Sequence, residues 1–135
     1  MFIKGGHLHH VHNYCGKEFF RVTSPQPVPT GHHTLRYEFE PTGEPDLHQG
    51  RGTPGRSQLY VDGELIASTD VPYTVPNLFS IIGLSCGRDG IDSVSPDDYP
   101  APNPSRATIH SVTLDVSGDV IVDSDSELQR LMSQQ

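Results

Sequence analysis

The sequence predicts an all-β protein, an antiparallel β-sandwich with a short C-terminal helix. Three observations predict it. First, the 135 residues include 13 glycines and 12 prolines, roughly a fifth of the chain against a usual level of about 12%. So many helix breakers leave few uninterrupted stretches for a helical bundle. Second, the apolar residues, 33% of the chain with no tryptophan, are clustered and alternate with polar ones. A period of two belongs to half-buried strands, and such clustering is not the pattern of a disordered chain. Third, the alternating runs are short and separated by turn signals, as in a sandwich. No apolar run approaches the ~18 residues of a membrane-spanning helix. The length suits one domain: a sandwich over residues 1–123, with 124–135 as a helix packed on it or flanking it.

Each element has its own reason. Phe2-Ile3-Lys4 and His7 to Tyr14 flank Gly5-Gly6, a two-residue turn in which positive φ costs glycine nothing. Cys15-Gly16-Lys17 is the next turn, and Glu18 to Thr23 the next strand. Pro25-Gln26-Pro27-Val28-Pro29-Thr30-Gly31 lacks three ladder donors and must be a surface connection. His33 to Glu40 alternates most clearly, with Leu35, Tyr37 and Phe39 on one face and Thr34, Arg36, Glu38 and Glu40 on the other. Gln58 to Val61, Asp62-Gly63 and Glu64 to Ala67 form a hairpin whose turn pair suits type I′. Phe79 to Leu84, Thr108 to Val116 and Val120 to Val122 are further strands, with Ser117-Gly118-Asp119 as the last turn. In the tail, Ser124 and Glu127 have capping-box spacing, and Leu128, Leu131 and Met132 share a helical face. Pro41 to Arg56 and Gly87 to Arg106 are long irregular loops, and such loops mark a functional rim.

Charge narrows the partners. Nine Lys and Arg against 17 Asp and Glu give a net charge of −8, the wrong sign for nucleic-acid phosphates or an anionic membrane surface. The N-terminus lacks the basic and apolar regions of a secretory signal, so a cytoplasmic location is expected. Cys15 and Cys86 make no disulfide framework; they can pair only if the fold brings them together, and in a reducing compartment they read as two free, buried thiols.

The order of motifs carries a resemblance. The series begins with Leu8-His9-His10-Val11-His12-Asn13-Tyr14-Cys15-Gly16 and Val28-Pro29-Thr30-Gly31-His32-His33-Thr34-Leu35-Arg36-Tyr37-Glu38-Phe39. Gly52-Thr53-Pro54-Gly55-Arg56 and Leu59-Tyr60-Val61-Asp62-Gly63 follow, then Cys86-Gly87-Arg88-Asp89 with Val94-Ser95 and Tyr99. Over about residues 1 to 122 the chain resembles the C-terminal accessory region of bacterial arylsulfatases, itself similar to concanavalin A-like (laminin G-like) jelly rolls. The sulfatase catalytic domain has no counterpart here. Neither cysteine is followed by the x-Pro-x-Arg pattern that marks the formylglycine nucleophile, so no sulfatase activity is expected. The resemblance also implies a glycine-rich strand before Met1 to Lys4 that this sequence does not have. An edge left open there calls for a homodimer, or for a partner chain that supplies the strand.

Several residues are candidates for chemistry. His10 and His12 share one face of their strand, and His7 and His9 the other, at about 6.5–7 Å along the backbone. Such a pair can share a metal when a neighbouring strand adds a third ligand, but the commoner state is a hydrogen-bonded or solvated histidine. Asp89, Asp92, Asp97 and Asp98, with Ser93 and Ser95, offer hard oxygens for Ca2+, which jelly rolls of the resembled class sometimes hold at the rim. Their spacing matches no EF-hand, and a solvated loop with capping aspartates is the plainer reading. Arg88 beside Asp89 reads as an ion pair pinning the loop, or with Arg56 as a clamp for a sulfate or carboxylate. Tyr14, Tyr60, Tyr73 and Tyr99 are candidate stacking faces for a saccharide. Glu38 and Glu40 would be the acid pair of a saccharide-acting enzyme, although flanking Arg36 is typical of a solvated strand. No cofactor is expected. The first expectation is a non-catalytic, self-associating binding or structural module. A carbohydrate-binding, lectin-like protein and a small saccharide-acting enzyme are the alternatives.

Overall fold

The computed structural model describes residues 1–76 and 83–116. Among these residues, six strands form two antiparallel sheets of three strands each. The first sheet holds β1 (Phe2–Lys4), β2 (His7–Tyr14) and β3 (Glu18–Thr23) in that order. The second holds β4 (Leu35–Pro41), β5 (Gly55–Val61) and β6 (Glu64–Val71). Every strand expected up to residue 67 is present. The turns are the reason. Gly5 and Gly6 take φ of 58° and 84°, and Asp62 and Gly63 take 51° and 86°, the positive values a tight hairpin needs. The second hairpin runs further than its alternation suggested, because the ladder continues through Arg56↔Asp70 to Gly55↔Val71.

Register assigns the faces. In the first sheet Leu8 lies beside the pair His10↔Val22, and these side chains turn toward the second sheet. In the second sheet Tyr37↔Leu59 and Leu59↔Ala67 make the matching row. Leu8, Val22 and Leu59, all but fully buried, form the shared core, with Val28, Leu35, Tyr37, Val61, Ile66 and Ala67 packed around them. Burying a side chain of this size contributes about 1.5–3 kcal/mol.

The structure corrects several expectations. Thr108 to Val116 does not form a strand, and its residues are exposed. Its alternation is a local property, whereas a strand also needs an edge to pair with. Cys15 and Cys86 are free as expected, but both are exposed rather than buried. Cys15 sits at φ 52° in the β2–β3 turn, where a side chain points away from the core. The expected Phe79–Leu84 strand falls mostly outside the described residues. The last turn, the Val120–Val122 strand and the C-terminal helix lie wholly outside them. No helix among the described residues is long and apolar enough to cross a membrane.

Candidate interaction surfaces

The loop from Gly87 to Arg106 is not a free rim. It lies on the outer face of the first sheet, where alternation places Lys4, His9, Val11, Asn13 and Arg21. Asn13 Nδ2 donates to the Val94 carbonyl at 3.1 Å, and the Tyr99 ring packs edge-on against Phe2 at 4.8 Å. Asp98 is the main clamp. It accepts from Lys4 Nζ at 2.9 Å, from the Arg21 guanidinium and from the Ser95 hydroxyl. Those donors, the Ser95 hydroxyl first, hold its carboxyl well below the usual carboxylate range. Ser95 and Val11 are buried as a result.

This arrangement separates the four aspartates expected to converge. Asp98 is committed to the clamp, and Asp89 accepts from the Val94 backbone at 3.2 Å. Asp92 and Asp97 are exposed. Among the described residues no group of three or more His, Cys, Asp or Glu side chains is placed to hold a metal ion. Tyr99 is part of the loop's packing. Its burial, then its hydrogen bond to Asp89, pushes its hydroxyl up to about 12. Arg88 is exposed, and no ion pair joins it to Asp89 among the described residues.

The four strand histidines divide as alternation requires. On the outer face, His7 Nδ1 donates to the Ser24 carbonyl at 2.8 Å, and His9 Nδ1 bonds Thr23 Oγ1 at 2.9 Å. On the inner face, His12 Nε2 accepts from the Val75 N–H at 3.2 Å, so that nitrogen is not available to a metal. His10 stacks on the Tyr37 ring with centroids 3.5 Å apart, and its buried Nδ1 has no hydrogen-bond partner. Burial above all, with the cationic N-terminus and His12 behind it, pushes the His10 imidazole down to about 3. Both inner imidazoles are therefore neutral near pH 7. The lone His10 nitrogen has an aromatic ring rather than a ligand against it.

The outer face of the second sheet is the polar one. Arg36, Glu38 and Glu40 of β4 lie opposite Tyr60, Gln58 and Arg56 of β5, and Arg56 lies opposite Asp70 of β6. The Arg36 guanidinium sits over the Tyr60 ring at 3.9 Å and also pairs with Glu38. The Tyr60 hydroxyl bonds Glu38, which raises its pKa. Arg56 Nε pairs with Asp70 at 3.2 Å. Arg56 and Tyr60 thus share one face, while Arg88 and Tyr99 belong to the loop on the other sheet, so the proposed Arg56–Arg88 clamp is not assembled. Glu38 and Glu40 lie side by side along one strand and do not face each other across a cleft.

Two features escaped sequence reading. Tyr14, Phe20 and Tyr73 form an aromatic corner: Tyr73 meets the other two edge-on at 5.0 and 5.3 Å, with Arg51 over its ring at 4.7 Å. The Tyr14 hydroxyl donates to the Gly50 carbonyl at 2.7 Å, tying the corner to the turn Leu47–Gln49. These residues are far apart in sequence, so no local signal joins them. An open groove of about 520 Å3 also runs between the proline-rich connection and the second hairpin, lined by Pro25, Pro27, Val28, Val61, Leu65 and Ile66. Its only sequence signal is the three prolines, which keep that connection off the sheet edge.

Among the described residues, Leu84 and Ile91 are exposed apolar side chains, and so are three in the segment expected to be a strand. Val112, Leu114 and Val116 are 57%, 65% and 93% exposed. No family model matches this chain, and neither a curated protein nor a solved structure does.

Proposed function

We propose that this chain is a small, non-catalytic β-sandwich module of the jelly-roll kind, and that it works by binding, first of all to a second copy of itself. The observation that carries this reading is the apolar row Val112, Leu114 and Val116, exposed on a molecule whose sheets, among the described residues, have open edges. An alternating apolar row in water is a liability unless something covers it. The resemblance to the arylsulfatase accessory region supports an accessory rather than a catalytic role, and the missing x-Pro-x-Arg motif agrees with it. Sedimentation velocity at micromolar concentration tests the reading. A dimer is expected, and a monomer at high concentration would overturn it.

A second reading has its own observation. On the outer face of the second sheet, an aromatic ring lies among Arg36, Glu38 and Gln58. A ring flanked by donors and acceptors is how a sheet face contacts a saccharide. A glycan array gives the answer: binding that Tyr60→Ala abolishes supports a lectin-like role, and a blank array removes it.

A further inference from the structure

The chain has eight histidines. His7, His9 and His12 are hydrogen-bonded within the first sheet and its surroundings, and His10 is stacked on Tyr37. His33 donates through Nδ1 to Asp62 Oδ2 at 2.7 Å, and its Nε2 turns to the Thr30 carbonyl at 3.4 Å. His48 stands exposed in the turn Leu47–Gln49. His32 and His110 remain. They are far apart in sequence and both exposed, yet their ring centroids lie 5.2 Å apart with the planes tilted by 47°.

That separation is the one a shared metal ion imposes. With metal–nitrogen bonds of about 2.0–2.1 Å, two imidazoles on a tetrahedral ion have their centroids about 5 Å apart. The tilt takes the rings out of face-to-face stacking, in which their in-plane lone pairs would run parallel and could not converge on one point. Each ring is also carried by a fixed piece of backbone. Before His110, the Ser105 N–H donates to the Gly87 carbonyl at 2.6 Å and the Ala107 N–H to the Ser105 hydroxyl at 3.1 Å. Ile109 packs beside Gly87, where an added Cβ would lie 3.5 Å from its Cδ1. After His32, the Thr34 N–H donates to Asp62 Oδ1 and the Asp62 N–H to the Thr34 carbonyl, both at 2.9 Å. Ligands already held in place lose less entropy when they bind. The charge around the pair suits a cation, because Asp62 interacts electrostatically with His32 and the chain carries a net −8.

We propose that His32 and His110 form a two-histidine site for a divalent transition-metal ion, with zinc the best fit and water in the remaining positions. Among the described residues no third His, Cys, Asp or Glu side chain joins the pair. Imidazole nitrogen favours zinc, copper and nickel, whereas calcium and magnesium want oxygen. Zinc suits this pair because it has no geometric preference from d-electrons. With two protein ligands the ion is exchangeable, and its effect is mechanical: it clips the segment 108–116 to the residues that lead into β4. The site uses neither the apolar row of the self-association reading nor the Tyr60 face of the saccharide reading.

Calorimetric titration of the full chain with zinc chloride tests this, in a background with Cys15→Ser and Cys86→Ser because exposed thiols also take zinc. One ion per chain with a micromolar dissociation constant is expected, together with a rise in melting temperature. His32→Gln and His110→Gln should each weaken binding at least about tenfold, and the double variant should be no worse than either, since losing one ligand already ends the chelation. His48→Gln should bind as the background does. In the background protein, NMR ring signals of His32 and His110 should move with zinc while those of His10 stay, a readout that needs no histidine variant. No zinc binding, binding that survives both substitutions, ring signals of His32 and His110 that do not move, or an equal response to calcium chloride would each overturn the site.

Discussion

His10 shows how much one side chain takes from its surroundings. An imidazole in water has a pKa near 6.5, and here burial pushes it down to about 3. The unfolded chain takes up this proton below about pH 6.5, while the folded protein refuses it until about pH 3. Its contribution to stability is therefore whole above the first value and lost as pH falls through the window to the second. His10→Phe keeps a ring against Tyr37 and removes both the titration and the unpartnered Nδ1. The acid limb of a plot of melting temperature against pH should flatten in this variant, and identical limbs in the two proteins would refute the account. The alternation of β2 shows at sequence level that His10 and His12 share a face. It does not show which of them finds a hydrogen-bond donor, because Val75, whose N–H meets His12, is 63 residues away.

At the scale of elements, strands and turns are local. Gly5-Gly6, Cys15-Gly16 and Asp62-Gly63 are tight turns in sequence and in structure, because left-handed backbone needs residues that tolerate it. The loop from Gly87 to Arg106 is different. Its prolines and aspartates mark it as irregular, but its seat on the outer face of the first sheet depends on Asp98 meeting Lys4 and Arg21, 94 and 77 residues away. Asp98→Asn keeps the shape and removes the charge. It should cost about 1–2 kcal/mol in urea unfolding, since the partners are partly exposed and screened. Amide hydrogen exchange across the loop should rise more than in β5. Unchanged exchange there would show that the clamp does not hold the loop. The same commitment sets Asp98 apart from the other three aspartates of the loop, because its carboxylate already accepts from three donors.

At the scale of the whole molecule, two small sheets meet through very few side chains. Leu59 contributes to the core from the second sheet, against Leu8 and Val22 from the first, and is fully buried. Leu59→Ala should cost about 2–5 kcal/mol in denaturant unfolding. A cost below about 1 kcal/mol would mean that stability lies elsewhere. Among the described residues Val112, Leu114 and Val116 add little to this core, because their side chains are exposed. The division between sequence and tertiary structure follows from range. Alternation, turn chemistry and helix breakers act over a few residues, so the sequence by itself determined the β class, the presence of the six strands before residue 72 though not the full length of β5 and β6, the three tight turns and the two-faced character of β2 and β4. Tertiary structure decided which loop covers which sheet, which carboxylate meets which cation, and that Arg56 and Arg88 lie apart. It also decided that Thr108–Val116, as strand-like in sequence as β4, remains exposed. A strand forms only where a free edge of the right length and register is within reach, and that depends on how the rest of the chain has folded.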